Sequence, residues 1–213
     1  MNPRLVIKGL YAITPESADS ADLQRRVRQA LLGGARVVQY RSKSADAALR
    51  LGQAQALRGL TREYGATFIV NDDAQLAAAV DADGVHLGVT DGGIAAARAL
   101  LGVDKLIGAS CYNQLALARE AVHAGADYVA FGAFFTSSTK PEAVVAQLQL
   151  LHEARRVLDV PVVAIGGITA TNGAQLVQAG ADALAVITAL FEAADVELAA
   201  RELATLFTQA GTT

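Results

Sequence analysis

Cysteine is nearly absent from this chain of 213 residues: the single thiol, Cys111, excludes an internal disulfide framework and gives no metal cluster. Basic runs are absent too. The formal net charge is -3 and arginine and lysine are nowhere concentrated, which argues against a nucleic-acid groove or an anionic membrane surface as the main partner. No window reaches about 18 uninterrupted apolar residues, so no membrane span is expected. The opening MNPRLVIKG lacks the apolar run and small-residue cleavage site of a signal peptide. No GxGxxG follows the first apolar run, and no linker marks a second domain. These absences leave a soluble, cytoplasmic chain, one domain over residues 1–213, long enough to bury a substantial core.

What is present repeats. GGARVVQYR, DADGVHLG, GADYVAFG and GADALAVI each close one element with small residues and then enter a short apolar run. Further apolar runs occur at IKGLYAIT, TFIVND, KLIGAS and PVVAIGG. Buried parallel strands read in this way, without alternation. The runs predict eight strands near residues 7–13, 35–40, 67–70, 84–87, 106–109, 127–131, 161–164 and 183–187. Segments of helical period separate them, such as DLQRRVRQALL, EAVVAQLQLLHEARRVL and the short, glycine-led GGIAAARALL. Eight alternating strand–helix units fit an α/β chain folded as a (β/α)8 TIM barrel better than an open doubly wound sheet.

In such a barrel the chemistry sits where strands end. Gln39, Arg41 and Lys43 recur at every second position after the second apolar run, so an extended chain would turn them to one face. Asn71, Asp72 and Asp73 follow the third run, and His86 and Asp91 follow the fourth within HLGVTD. Ser110, Cys111 and Tyr112 end the fifth, and TSSTK (136–140) follows the sixth. Gly166 and Gly167 end the seventh, Ile187 and Thr188 the eighth. Only four lysines exist, at 8, 43, 105 and 140, and two of them fall in these loops. Lysine suits phosphate oxygens as a point charge, and arginine forks across two of them. Aspartates beside a phosphate are hard ligands for Mg²⁺. Backbone N–H groups after strands seven and eight commonly hold a phosphate in barrels. The rim therefore suggests a metal-bound pyrophosphate on one side and a monophosphate on the other. Plainer roles stay open residue by residue: Arg41 and Lys43 as solvated loop residues, Asp73 as a helix cap, His86 as a packed histidine, Cys111 as a small filler.

With these pieces in order the chain resembles the thiamin-phosphate synthase (thiamin-phosphate pyrophosphorylase) family, from GLYAIT to the last helix. The resemblance implies a magnesium-dependent transferase that joins an aminopyrimidine diphosphate to a thiazole phosphate and releases pyrophosphate. It implies that the pyrimidine diphosphate is held by the strand end 39–43 (Gln39, Tyr40, Arg41, Ser42 and Lys43) together with Asn71, Ser110 and Lys140. The metal falls to Asp72 and Asp91. The thiazole phosphate falls to Ser137, Ser138, Thr139, Gly167, Ile187 and Thr188. Catalytic weight falls on Lys140, Arg41 and Lys43. The partners implied are these small molecules, with room for a homo-oligomer.

At three places the chain departs from the family pattern: Val89 stands for glutamine, Tyr112 for histidine, and Thr136–Ser137 for proline–threonine. None replaces a metal ligand or a cation. Alternatives within and beyond the family are a thiazole tautomerase, a Schiff-base aldolase using Lys140, and a non-catalytic barrel that binds thiamin precursors. The three histidines, at 86, 123 and 152, fit the tautomerase poorly, because none lies in the loop after strand six.

Overall fold

The structure, a computed structural model, describes residues 6–88, 91–136 and 145–209. Eight parallel strands close on themselves in chain order, β1 pairing with both β2 and β8. They are β1 (Gly9–Ile13), β2 (Val37–Tyr40), β3 (Thr67–Asn71), β4 (Gly84–Leu87), β5 (Leu106–Ser110), β6 (Tyr128–Phe131), β7 (Val162–Ile165) and β8 (Ala183–Val186). Each bound lies within two residues of the apolar run that predicts it. The helices are α1 (Ser20–Leu32), α2 (Ala47–Tyr64), α3 (Ala74–Ala79), α4 (Ile94–Leu101), α5 (Leu115–His123), α6 (Leu148–Val157), α7 (Ala174–Gln178), α8 (Thr188–Phe191) and α9 (Val196–Gln209). Among the described residues no helix is long and apolar enough to cross a membrane.

Alternation along the strands divides the core in two. Tyr11, Ile13, Val37, Ile69, Leu106, Tyr128 and Val163 fill the barrel, while Leu10, Val38, Phe68, Val70, Ile107, Val129 and Phe131 turn out against the helices. Branched and aromatic side chains suit both layers, because each strand is covered on both faces.

The aspartates that precede β4, β6 and β8 are strand clamps. Asp83 accepts from the Phe68 backbone N–H at 2.9 Å and takes Arg58 of α2 bidentately at 2.7 and 2.8 Å. Asp127 accepts from the Ile107 N–H and, through a single contact, from Arg98 of α4. Asp182 does so from Val162 and Arg155 of α6. Each carboxylate ties the start of the preceding strand to the helix that leads into that strand. The Arg58–Asp83 pair is buried, so removing one partner would cost about 3–5 kcal/mol. These clamps sit at the end of the barrel opposite the candidate site, where they stabilise without touching the chemistry.

Helix α6 begins later than the pattern 142–158 predicts. Residues 142–144 lie outside the described residues, and Val145 to Gln147 are not helical. The Ala146 N–H is bonded at 2.7 Å to the carbonyl of Ala133, just past β6, so tertiary pairing overrides a helix-prone composition.

Candidate active site

Polar side chains gather at the C-terminal end of the barrel. Gln39, at the end of β2, is 3% exposed and points inward beside Tyr11 of β1. Asn71, His86 and Ser110 stand at the corresponding ends of β3, β4 and β5, with Asn71 paired to His86 in register.

Beyond Tyr40 the β2 strand gives way to a loop that β1 shapes. Thr14 Oγ1 accepts the Arg41 N–H at 2.9 Å. Glu16 takes the Lys43 N–H and the Ser42 hydroxyl, both at 2.7 Å. These bonds hold the Glu16 carboxyl below its ordinary range against the opposing effect of its partial burial. A depression of about 480 Å³ lined by Glu16, Ser17, Arg41, Lys43 and Leu49 adjoins this loop. Glu16 and Thr14 were not singled out from the sequence, because the loop after β1 carries no run of charges to draw attention. Tyr40, grouped with the pyrimidine site by resemblance, turns the other way. Its ring is buried among the helix-facing residues and its hydroxyl donates to Gln53 of α2 at 2.8 Å, so at the mouth it offers backbone only. Period-two alternation requires this, since Gln39 next to it faces inward.

Beside this loop, after the neighbouring strands β3 and β4, stand two carboxylates. Asp72 follows β3 with φ +63°, a left-handed conformation in which Asp is among the tolerated non-glycine residues. Its backbone N–H bonds to the His86 carbonyl at 2.8 Å. Asp91 is held by the Gly88 N–H at 2.7 Å, which explains the spacing in HLGVTD: the glycine amide at one end orients the carboxylate at the other. Partial burial, then the hydrogen bond and charge of Asp91, push the Asp72 carboxyl from 3.8 up to about 6, while Arg41 and Lys43 pull it back. All four groups therefore converge on one spot. Two carboxylates, one of them with its pKa raised, faced by two cations, are the chemistry of a hard-cation and phosphate site. No group of three metal-binding side chains exists among the described residues. Two carboxylates with remaining positions open suit Mg²⁺, which keeps waters and substrate phosphates as ligands. The residues fit the ion.

Asp73 beside them is a helix cap, as one reading of the sequence allows. It accepts from the Leu76 N–H at 2.8 Å and pairs with Arg50. Cys111 is buried, burial pushes its thiol up to about 12, and no base is paired with it. His86 is buried deep in the barrel, and burial drops its pKa to about 4.

On the far side, Gly166 and Gly167 close β7 with φ +103° and +61°. A Cβ on Gly167 would stand 2.5 Å from the Thr136 carbonyl oxygen and 2.8 Å from Phe135. Only glycine lets the chain after β6 lie against this turn, where Phe135 N–H bonds to the Gly166 carbonyl at 3.0 Å. After β8, Ile187 caps the four-residue α8, which Thr188 begins. Ser137, Ser138, Thr139 and Lys140, and the departure at Val89, lie outside the described residues. The departure at Tyr112 is described: it follows β5 at φ +52° and is half-exposed, and its carbonyl accepts from the Gly132 N–H at 2.9 Å.

Comparison with known proteins decides the family. Residues 10–190 match the family model for thiamine monophosphate synthase. The thiamine-phosphate synthase of Methylobacillus flagellatus is 57% identical over 94% of this chain and 96% of its own. That of Chromobacterium violaceum is 56% identical over 97% and 99%. Among solved structures, a thiamine phosphate pyrophosphorylase from Pyrococcus furiosus superposes with a TM-score of 0.85 at 39% identity, covering 95% of this chain and 96% of that one. The chain belongs to the thiamine monophosphate synthase family. It is an enzyme acting on small-molecule substrates, and its barrel is that of thiamine-phosphate synthases. Metal dependence is consistent with this family.

Proposed function

We propose that this enzyme joins 4-amino-2-methyl-5-(diphosphooxymethyl)pyrimidine to hydroxyethylthiazole phosphate, with Mg²⁺ as cofactor, giving thiamin phosphate and pyrophosphate. The observation that carries the reading is the meeting of Asp72 and Asp91 with Arg41 and Lys43 at one edge of the barrel mouth. The carbon–oxygen bond to the diphosphate breaks, the leaving group takes the electron pair, and the thiazole nitrogen forms the new bond to the methylene carbon. No side-chain nucleophile is needed. Mg²⁺ held by Asp72 and Asp91 would neutralise charge on the departing diphosphate. Arg41 and Lys43 face the same charge, with Ser42 and the 39–43 backbone alongside, and Lys140 is assigned to it by resemblance. Gln39 and Asn71 reach the pyrimidine, and Ser110 stands near the diphosphate. Gly167, Ile187 and Thr188, with Ser137, Ser138 and Thr139, take the thiazole phosphate. Holding both substrates in line supplies much of the remaining rate. A biosynthetic enzyme of this kind belongs in the cytoplasm.

Pyrophosphate release from the two substrates, followed by a coupled assay, tests the reaction. Turnover that needs both substrates and Mg²⁺ is expected, and binding without release would leave a sensor instead. Arg41→Ala and Lys43→Ala should each raise KM for the diphosphate at least several-fold more than KM for the thiazole phosphate. The opposite ranking would reverse the assignment of the two anions.

Asp72 also predicts how Mg²⁺ and pH interact. Its carboxyl is raised from 3.8 to about 6, so between those values the metal-free folded chain keeps a proton that the unfolded chain has lost. This group's contribution to stability therefore falls as pH rises through that window. Mg²⁺ competes with the proton and relieves the repulsion between the carboxylates. Its stabilisation, read as a rise in Tm, should be small near about pH 5 and larger near about pH 7.5. An equal rise at both pH values would detach Asp72 from the metal.

A further inference from the structure

One continuous polar thread crosses the barrel interior. Gln39 Nε2 donates to Tyr11 Oη at 3.2 Å, and the hydroxyls of Tyr11 and Tyr128 are 2.9 Å apart. Tyr128 Oη lies 3.1 Å from His86 Nδ1, and His86 Nε2 lies 2.9 Å from Ser110 Oγ. The thread thus links β2 to β5 by way of β1, β6 and β4. Every member except Ser110 is buried. Its centre has been given room: a Cβ on Gly108 would stand 2.0 Å from Tyr128 Cζ and 2.4 Å from its hydroxyl.

With the Gln39 amide nitrogen facing Tyr11, one direction spends every phenol and imidazole proton within the thread. Each phenol carries one, and a neutral imidazole carries one. With the Gln39 amide donating to Tyr11, the Tyr11 proton goes to Tyr128 and the Tyr128 proton goes to His86 Nδ1. The imidazole proton is then on Nε2, donating to Ser110 Oγ. Ser110 consequently spends no proton inside the protein, and its own O–H is available to the mouth. Reversing the thread would turn the Gln39 amide and draw the Ser110 proton onto His86. Ser110 would then present only lone pairs to an anion.

We propose that Tyr11, Tyr128 and His86 are positioning residues that keep Ser110 a donor toward the substrate's diphosphate and, at the other end, hold the Gln39 amide in one orientation. The inference rests on the reading of this mouth as a diphosphate site. It explains why tyrosines occupy a barrel interior otherwise filled by aliphatic side chains. It also ties the residues expected at the two parts of one substrate into a single unit, so loss of a middle link is felt at both ends.

The ring-nitrogen ¹⁵N shifts of His86 test the direction directly, in the full chain without metal or substrate. Loss of its signals in His86→Gln assigns them. The Nε2–H tautomer is expected, and an Nδ1–H tautomer overturns the proposal without recourse to any variant. Tyr128→Phe removes the middle hydroxyl and keeps the ring. It should populate the Nδ1–H tautomer and lower kcat roughly tenfold, the worth of about one hydrogen bond, with KM for the thiazole phosphate unchanged. Combined with Ser110→Ala it should cost less than the product of the two separate losses, because both act in part through the same hydroxyl. Independent, multiplying losses would overturn the proposal. Pyrophosphate release by the wild-type enzyme is measured first. Its absence would overturn the assigned reaction, while the ring shifts would still decide the direction of the thread.

Discussion

Asp72→Asn is expected to lower turnover at least roughly a hundredfold, since a hard cation loses a charged oxygen ligand where leaving-group charge develops. The substitution is well suited to the position. Asparagine tolerates the left-handed backbone at φ +63°, and the backbone bond to the His86 carbonyl is untouched. The stability effect should have the opposite sign. Removing one of two facing carboxylates relieves the repulsion that raises Asp72, so the metal-free variant should match or exceed the wild-type Tm near neutral pH. At the same time the Tm rise with Mg²⁺ should shrink. Lower activity with a preserved Tm and a lost metal response is a signature that general misfolding does not produce. Near-normal turnover at limiting Mg²⁺ would remove Asp72 from the metal site. Asp73→Asn is the control: asparagine is as good a cap, and the partly exposed Arg50 pair it gives up is worth at most about 1 kcal/mol.

The contrast between these neighbours shows where the sequence was legible. All eight strands were, because a strand covered on both faces must be apolar along its whole length. The rim was legible for the converse reason: Gln39, Asn71, His86 and Ser110 interrupt runs that should contain no polar residue. What the sequence hid was hidden by its own rules. Tyr11 and Tyr128 count as core by composition, and nothing local reveals that their hydroxyls meet across 117 positions of chain. Glu16 reaches Lys43 over 27 residues, a contact that the parallel pairing of β1 with β2 creates. Asp83, Asp127 and Asp182 precede strands as a cap would precede a helix, and only the paired arginines on the preceding helices distinguish a clamp. Tyr40 is different in kind. Alternation from Gln39 already turned it outward, and the family resemblance of the whole segment obscured that local fact.

Lys140→Ala should depress kcat by about two to three decades, the roughly 2–4 kcal/mol that one donor to a developing oxyanion is worth. The diphosphate oxygen gains charge only as its bond to carbon breaks, so a cation aimed there acts more on the transition state than on the bound substrate. The loss should therefore fall on kcat, with KM for either substrate changed much less. A lysine that merely binds would raise KM for the diphosphate and spare kcat. A lysine with no part in the site would change neither. The segment's described flanks make the variant interpretable. Phe134 and Phe135 N–H groups bond to the carbonyls of Ile165 and Gly166, and the Ala146 N–H returns to Ala133. Both anchors are backbone contacts that removal of a side chain at 140 leaves in place. Calorimetric binding of the thiazole phosphate alone should accordingly match the wild type. If that binding disappears along with turnover, the loss of activity reports a collapsed loop. If single-turnover rate and binding are both unaltered, Lys140 takes no part in expelling the diphosphate.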